Sequence, residues 1–139
     1  MSDPDTRLTT ATLEAMPFLG ALGAEMITAG ADLVTARLAF SERLCTSGGV
    51  LHGGVLMGLA DSVGGLCAFY NLPAGAAGTS TIESKTNFLR AVRCEWVEAQ
   101  AQPLHVGRTT IVITTDVSDS EGRLVARTTQ TQSVLGGDR

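Results

Sequence analysis

A single carboxylate stands in twenty residues of otherwise uncharged sequence. From Leu51 to Tyr70 the chain reads LHGGVLMGLADSVGGLCAFY, and Asp61 is the only charged side chain in it. At about 100° per residue, Leu56, Leu59, Val63, Leu66 and Tyr70 share one stripe of a helix, while Gly54, Gly58, Asp61 and Gly65 share the opposite one. The glycine side lets another backbone or a ligand approach closely and presents Asp61 to it. A lone acid in an apolar cleft can take a proton from water or attack a carbonyl, which makes it a functional-site candidate. The plainer alternative is a solvated carboxylate on a tightly packed helix, but a surface helix usually carries several charges on its outer face.

The remaining segments must hold that helix in place. Thr9 or Thr10 can cap a short helix running through Glu14 and Met16 and ending near Pro17 and Gly20, so that residues 1–20 form a helical brace. Strand patterns follow at about 22–29 and 32–40, joined as a hairpin at Gly30-Ala31. Residues 41–51 lack alternation and read as a loop leading to the helix. Four further strand patterns run at about 79–89, 94–104, 108–118 and 123–134, with joints too short for crossover helices. They are expected to be antiparallel neighbours. The fold class is therefore α+β, one curved antiparallel sheet wrapped around one long central helix.

With 139 residues, the chain is expected to form a single domain, 1–139. Only 17% of residues are charged while 44% are hydrophobic, leaving little charge to cover a monomer and favouring self-association. The net charge of -4 argues against nucleic acid as a partner. Asp61-Ser62 and the glycines weaken the helix as a membrane span, and no signal-peptide pattern opens the chain, so a cytoplasmic location is expected. Cys45, Cys67 and Cys94 show no metal-ligand or disulfide spacing, and only His52 and His105 could add imidazoles. No metal is expected.

The run Gly49-Val50-Leu51-His52-Gly53-Gly54, with Asp61 nine residues after the histidine, resembles the hotdog-fold acyl-CoA thioesterases of the phenylacetic-acid-pathway type, within the 4-hydroxybenzoyl-CoA thioesterase superfamily. The strand Thr81-Ile82-Glu83-Ser84-Lys85-Thr86-Asn87-Phe88-Leu89-Arg90 is similar to that family's strand after the helix. The likeness covers roughly residues 20–135 and implies a hotdog fold. It implies that Asp61 is the catalytic carboxylate and that Gly54, or its neighbour Gly53, offers a backbone N–H to the thioester carbonyl. A helix amino terminus suits an oxygen gaining negative charge. His52 would orient the loop or bond near the thioester, and Thr81 would help hold the attacking water, reaching the site from the partner subunit. Where these enzymes often carry asparagine six residues before the histidine, this chain has Thr46.

The acyl group is expected to lie near Leu51, Val55, Gly58 and Ser62, with Thr46 and Gly53 also on the substrate. Lys85, Arg90, Arg93 and Arg108 are candidates for holding coenzyme A phosphates. Trp96 is assigned to packing. The expected activity is hydrolysis of an acyl- or aryl-CoA thioester by a dimer or dimer of dimers with sites between subunits, Asp61 acting as general base or nucleophile. Coenzyme A belongs to the substrate, and no separate cofactor is expected. A hotdog-fold hydratase or dehydratase and a non-catalytic acyl-CoA-binding module are the alternatives.

Overall fold

The computed structural model describes residues 2–136; Met1 and residues 137–139 of the expected domain lie outside the described residues. Helices α1 (Thr6–Ala15) and α2 (Pro17–Leu22) precede strands β1 (Glu25–Ala29) and β2 (Val34–Ala39). A 3-10 turn at Glu42–Leu44 leads to the central helix α3 (Gly53–Tyr70). Strands β3 (Gly78–Phe88), β4 (Trp96–Val106), β5 (Thr110–Asp119) and β6 (Leu124–Leu135) complete the chain.

The six strands make one antiparallel sheet in the order β1-β2-β4-β5-β6-β3. Every second residue of the middle strands turns inward: Val34, Ala36 and Leu38 on β2, Val97, Ala99 and Ala101 on β4, Ile111, Ile113 and Val117 on β5. Against them α3 buries Leu56, Leu59, Ala60, Val63, Cys67 and Ala68. Removing that apolar surface from water is the main force seating the helix, at about 1.5–3 kcal/mol for each large side chain. The buried stripe departs from the expected one at its end, since Tyr70, the last residue of the helix, is 43% exposed. The helix is long and apolar enough to cross a membrane by length and composition, but here it lies in the concavity of the sheet.

Two expectations are corrected. Asp5, rather than Thr9 or Thr10, caps the first helix, its carboxylate accepting from the Leu8 N–H at 2.9 Å. Thr9 instead accepts from the Met26 N–H at 2.8 Å and ties the helix to β1, and Pro17 opens α2 rather than ending a helix. The second correction concerns β3 and β4, which are not neighbours: β3 pairs with β6 at the edge, and β4 pairs with β2 and β5. Crossing three strand spacings takes about 14 Å at ~4.8 Å each, within reach of residues 89–95 in extended form. Hydrogen bonds mark that crossing, from Leu89 N–H to Val125 O at 2.8 Å, Leu51 N–H to Val92 O at 3.1 Å, and Phe40 N–H to Glu95 O at 2.8 Å. The crossing thus braces the loop just before α3.

Candidate active site

His52 is the N-cap of α3, with extended backbone at φ -61 and ψ 135. Its Nδ1 accepts the Gly54 N–H at 2.8 Å, and its carbonyl accepts the Val55 N–H at 2.9 Å. A neutral imidazole that accepts at Nδ1 carries its proton on Nε2, so this ring presents a donor to the outside. The Gly54 N–H, expected to face a carbonyl, is already engaged by the cap. The Gly53 N–H makes no hydrogen bond among the described residues and is the orphan donor of the first turn. Gly53 borders a cavity of about 390 Å³ lined also by Thr46, Leu51, Leu56, Phe88 and Arg90. Thr46 lines this cavity while its Oγ1 accepts the Gly48 N–H at 3.2 Å, so the hydroxyl also shapes its own turn.

Asp61 lies two turns further along α3. It is exposed in the protomer rather than buried, although β3 and β6 reach it from one side. Its Oδ1 accepts from Thr81 Oγ1 at 3.3 Å and from Gln130 Nε2 at 3.1 Å. Oδ2 makes no hydrogen bond among the described residues. Thr81 reaches Asp61 within the same chain, because β3 runs alongside α3 and carries it there. Two openings meet at the carboxylate. One, of about 420 Å³, is lined by Asp61, Met16, Leu66, Phe69, Thr81 and Gln132; the other, of about 320 Å³, by Met57, Gly58, Asp61, Thr81 and Ser84.

The other expected residues divide. Ser62 borders the larger opening but donates to the Gly58 carbonyl at 2.8 Å, and Val55 packs, half-buried, against the core. The space beside Gly58 is taken by Phe18, whose ring would stand 2.8 Å from an added Cβ. Arg90 borders the helix terminus, whereas Arg108 stands at the β4–β5 turn, at the opposite end of the sheet. Lys85 is exposed on β3, Arg93 lines a separate groove with Trp96, and none of these four cations forms an ion pair among the described residues. Trp96 packs as expected, with the Arg37 guanidinium 4.1 Å from its ring centre. The buried Cys67 thiol is pushed up to about 11 by desolvation and by nearby Asp32, which makes it a poor nucleophile. Sequence reasoning missed Gln130 and Gln132; their signal is a strand, Thr128 to Ser133, in which polar residues occupy both faces.

The thioesterase superfamily profile matches residues 48–126, from the loop before α3 into β6. The proofreading thioesterase EntH of Cronobacter turicensis is 30% identical over 115 residues, covering 83% of each chain. Thioesterase HI1161 of Haemophilus influenzae superposes with a TM-score of 0.84 at 30% identity, over 97% of this chain and 94% of that one. A hypothetical thioesterase of Streptococcus pneumoniae, solved with coenzyme A, superposes with a TM-score of 0.79 at 26% identity, over 91% and 99%. A six-stranded sheet curved around one helix, a glycine-opened helix terminus and these likenesses agree, and the chain belongs to the thioesterase superfamily, with its hotdog fold.

Proposed function

We propose that this thioesterase hydrolyses an acyl- or aryl-CoA thioester to the free acid and coenzyme A, with Asp61 as its reactive carboxylate. The observation that carries this reading is the asymmetric hold on Asp61: two donors tie Oδ1, and Oδ2 is left to a water or a carbonyl where two openings meet. As a base, Oδ2 takes a proton from water while the hydroxide adds to the thioester carbonyl. As a nucleophile, it forms an anhydride that water then cleaves. Either way a tetrahedral oxyanion forms and collapses with loss of the coenzyme A thiolate. The Gly53 N–H and the His52 Nε2–H suit that oxyanion, with the positive end of the α3 dipole behind them.

Those donors and Asp61 do not serve one carbonyl within a chain. Gly53 and Asp61 are eight residues apart on α3, about 12 Å along the axis at ~1.5 Å per residue, whereas a reacting centre must lie about 3 Å from both. A second copy running antiparallel would bring its Asp61 to the first copy's helix terminus and complete two equivalent sites. The surface suits such a copy. Strand β3 is a long edge strand with Ile82 64% and Phe88 51% exposed, followed at once by Leu89 at 54%, and edge strands of this kind pair with another chain. Binding of coenzyme A by the streptococcal relative supports the substrate class.

The larger opening, walled by Met16, Leu66 and Phe69, fits a bulky or aromatic acyl group. Gly65 borders it, and a Cβ added there meets nothing within 4 Å. Gly65→Leu is therefore expected to lower turnover of bulky acyl-CoA thioesters about tenfold or more while sparing acetyl-CoA. A panel of short, long and aryl CoA thioesters, read by thiol release, tests both points. Hydrolysis of a bulky or aryl member supports the reading; hydration of a crotonyl-type substrate without thiol release, or tight binding without turnover, overturns it.

A further inference from the structure

The inner face of β6 carries two glutamines, Gln130 and Gln132, each 1% exposed. A buried primary amide brings two N–H groups and a carbonyl out of water, and each wants a partner. Gln130 is incompletely served. Its Nε2 donates to Asp61 Oδ1 at 3.1 Å and reaches the Asp61 carbonyl at 3.4 Å, but its Oε1 has no hydrogen-bond partner among the described residues, nor has the buried Thr115 Oγ1. Both atoms lie against Gly64 of α3. A Cβ at Gly64 would overlap the Gln130 amide and stand 3.2 Å from Thr115 Oγ1, so the helix has to be bare at that point for the amide to lie where it does.

Gln132 acts one step back. Its Oε1 accepts from Thr79 Oγ1 at 3.0 Å, and its Nε2 donates to Thr81 Oγ1 at 2.7 Å. Because that oxygen accepts from Gln132, the Thr81 hydroxyl proton is free to point at Asp61 Oδ1, 3.3 Å away. The two glutamines thus send two donors to one carboxylate oxygen and none to the other. Stability alone does not call for this, since an apolar side chain of similar volume at position 130 would remove a buried amide with an unpaired carbonyl.

We propose that Gln130, with Gln132 acting through Thr81, is the positioning residue of this active site: it pins Asp61 through Oδ1 and so aims Oδ2 at the reacting water or carbonyl. Gln130 touches no substrate. The proposal rests on Asp61 being the reactive carboxylate, and its test separates the two ideas. Gln130→Met keeps length and volume but loses the donor; Gln130→Asn keeps the amide but draws it back by one C–C bond, about 1.5 Å. A space-filling role would be met by methionine, and a need for a buried amide by asparagine. A positioning role is met by neither.

Both variants are expected to lower kcat about tenfold to a hundredfold with KM nearly unchanged, the cost of a misaimed reacting group. Thermal unfolding of Gln130→Met should match or exceed that of the wild type. In an Asp61→Asn background, Gln130→Met should cost no further turnover, because there is no carboxylate left to aim. Either variant turning over like the wild type, a rise in KM with kcat unchanged, or a full additional loss in the Asp61→Asn background overturns the positioning role, while an inactive Asp61→Asn leaves the reactive carboxylate standing. Wild-type turnover by Asp61→Asn overturns both. If one of the two Gln130 variants does not fold, the other carries the same expectation.

Discussion

Asp61→Asn is expected to reduce thioester hydrolysis by on the order of a hundredfold or more while leaving the folded protein and its assembly intact. The asparagine oxygen can accept the same two hydrogen bonds that Thr81 and Gln130 give to Oδ1. Its amide nitrogen replaces Oδ2, which makes no hydrogen bond among the described residues, so packing has no reason to change. What disappears is the only lone pair at that point able to take a proton or attack a carbonyl. Steady-state turnover on the best substrate of the CoA panel measures the loss, and acyl-CoA binding to the inactive variant confirms that the site is still formed. Labelled water in a single turnover of the wild type separates the two routes: label in the Asp61 peptide marks the anhydride.

The second large effect is expected at Gly53. Proline at this position removes the Gly53 N–H, which makes no hydrogen bond among the described residues, and the backbone is already suited to it. Proline is favoured as the first residue of a helix, and its predecessor must be extended, which His52 is at φ -61 and ψ 135. An oxyanion donor contributes about a hundredfold to a thousandfold in kcat, and Gly53→Pro should lose that much. Gly53→Ala is the control. Its Cβ meets the same Phe88 ring, at 3.1 Å, but the ring is half exposed and can shift, and the N–H survives. A large gap in kcat between proline and alanine assigns the effect to the N–H; equal losses assign it to crowding at Phe88.

The parts of this site that were legible in sequence are those where chemistry and periodicity coincide. Asp61 stood out because nothing else charged lies near it on a helical pattern, and the His-Gly-Gly run stood out because it opens that helix. The adjacency of β3 and β6 was not legible, since a seven-residue joint can serve a hairpin or a crossing, and only the hydrogen bonds of Leu89 and Leu51 decide between them. Gln130 and Gln132 were hidden for a different reason. In Thr128-Thr129-Gln130-Thr131-Gln132-Ser133 both faces of the strand are polar, so a period of two carries no information about which face is inside. The division of labour at the helix terminus was equally out of reach: whether Gly53 or Gly54 keeps its N–H depends on a histidine rotamer, and the His52 ring takes the second.

The claim that most needs testing is that Asp61 of one chain works with the helix terminus of another. Asp61→Asn and Gly53→Pro protomers, each inactive alone, can be unfolded together and refolded as a mixture. If sites are shared across a two-fold axis, half of the dimers are mixed and one of their two sites is intact, so roughly a quarter of wild-type turnover per protomer should return. If Gly53 and Asp61 of the same chain form each site, every chain in the mixture carries one lesion. No activity would then return, and the shared site would be contradicted.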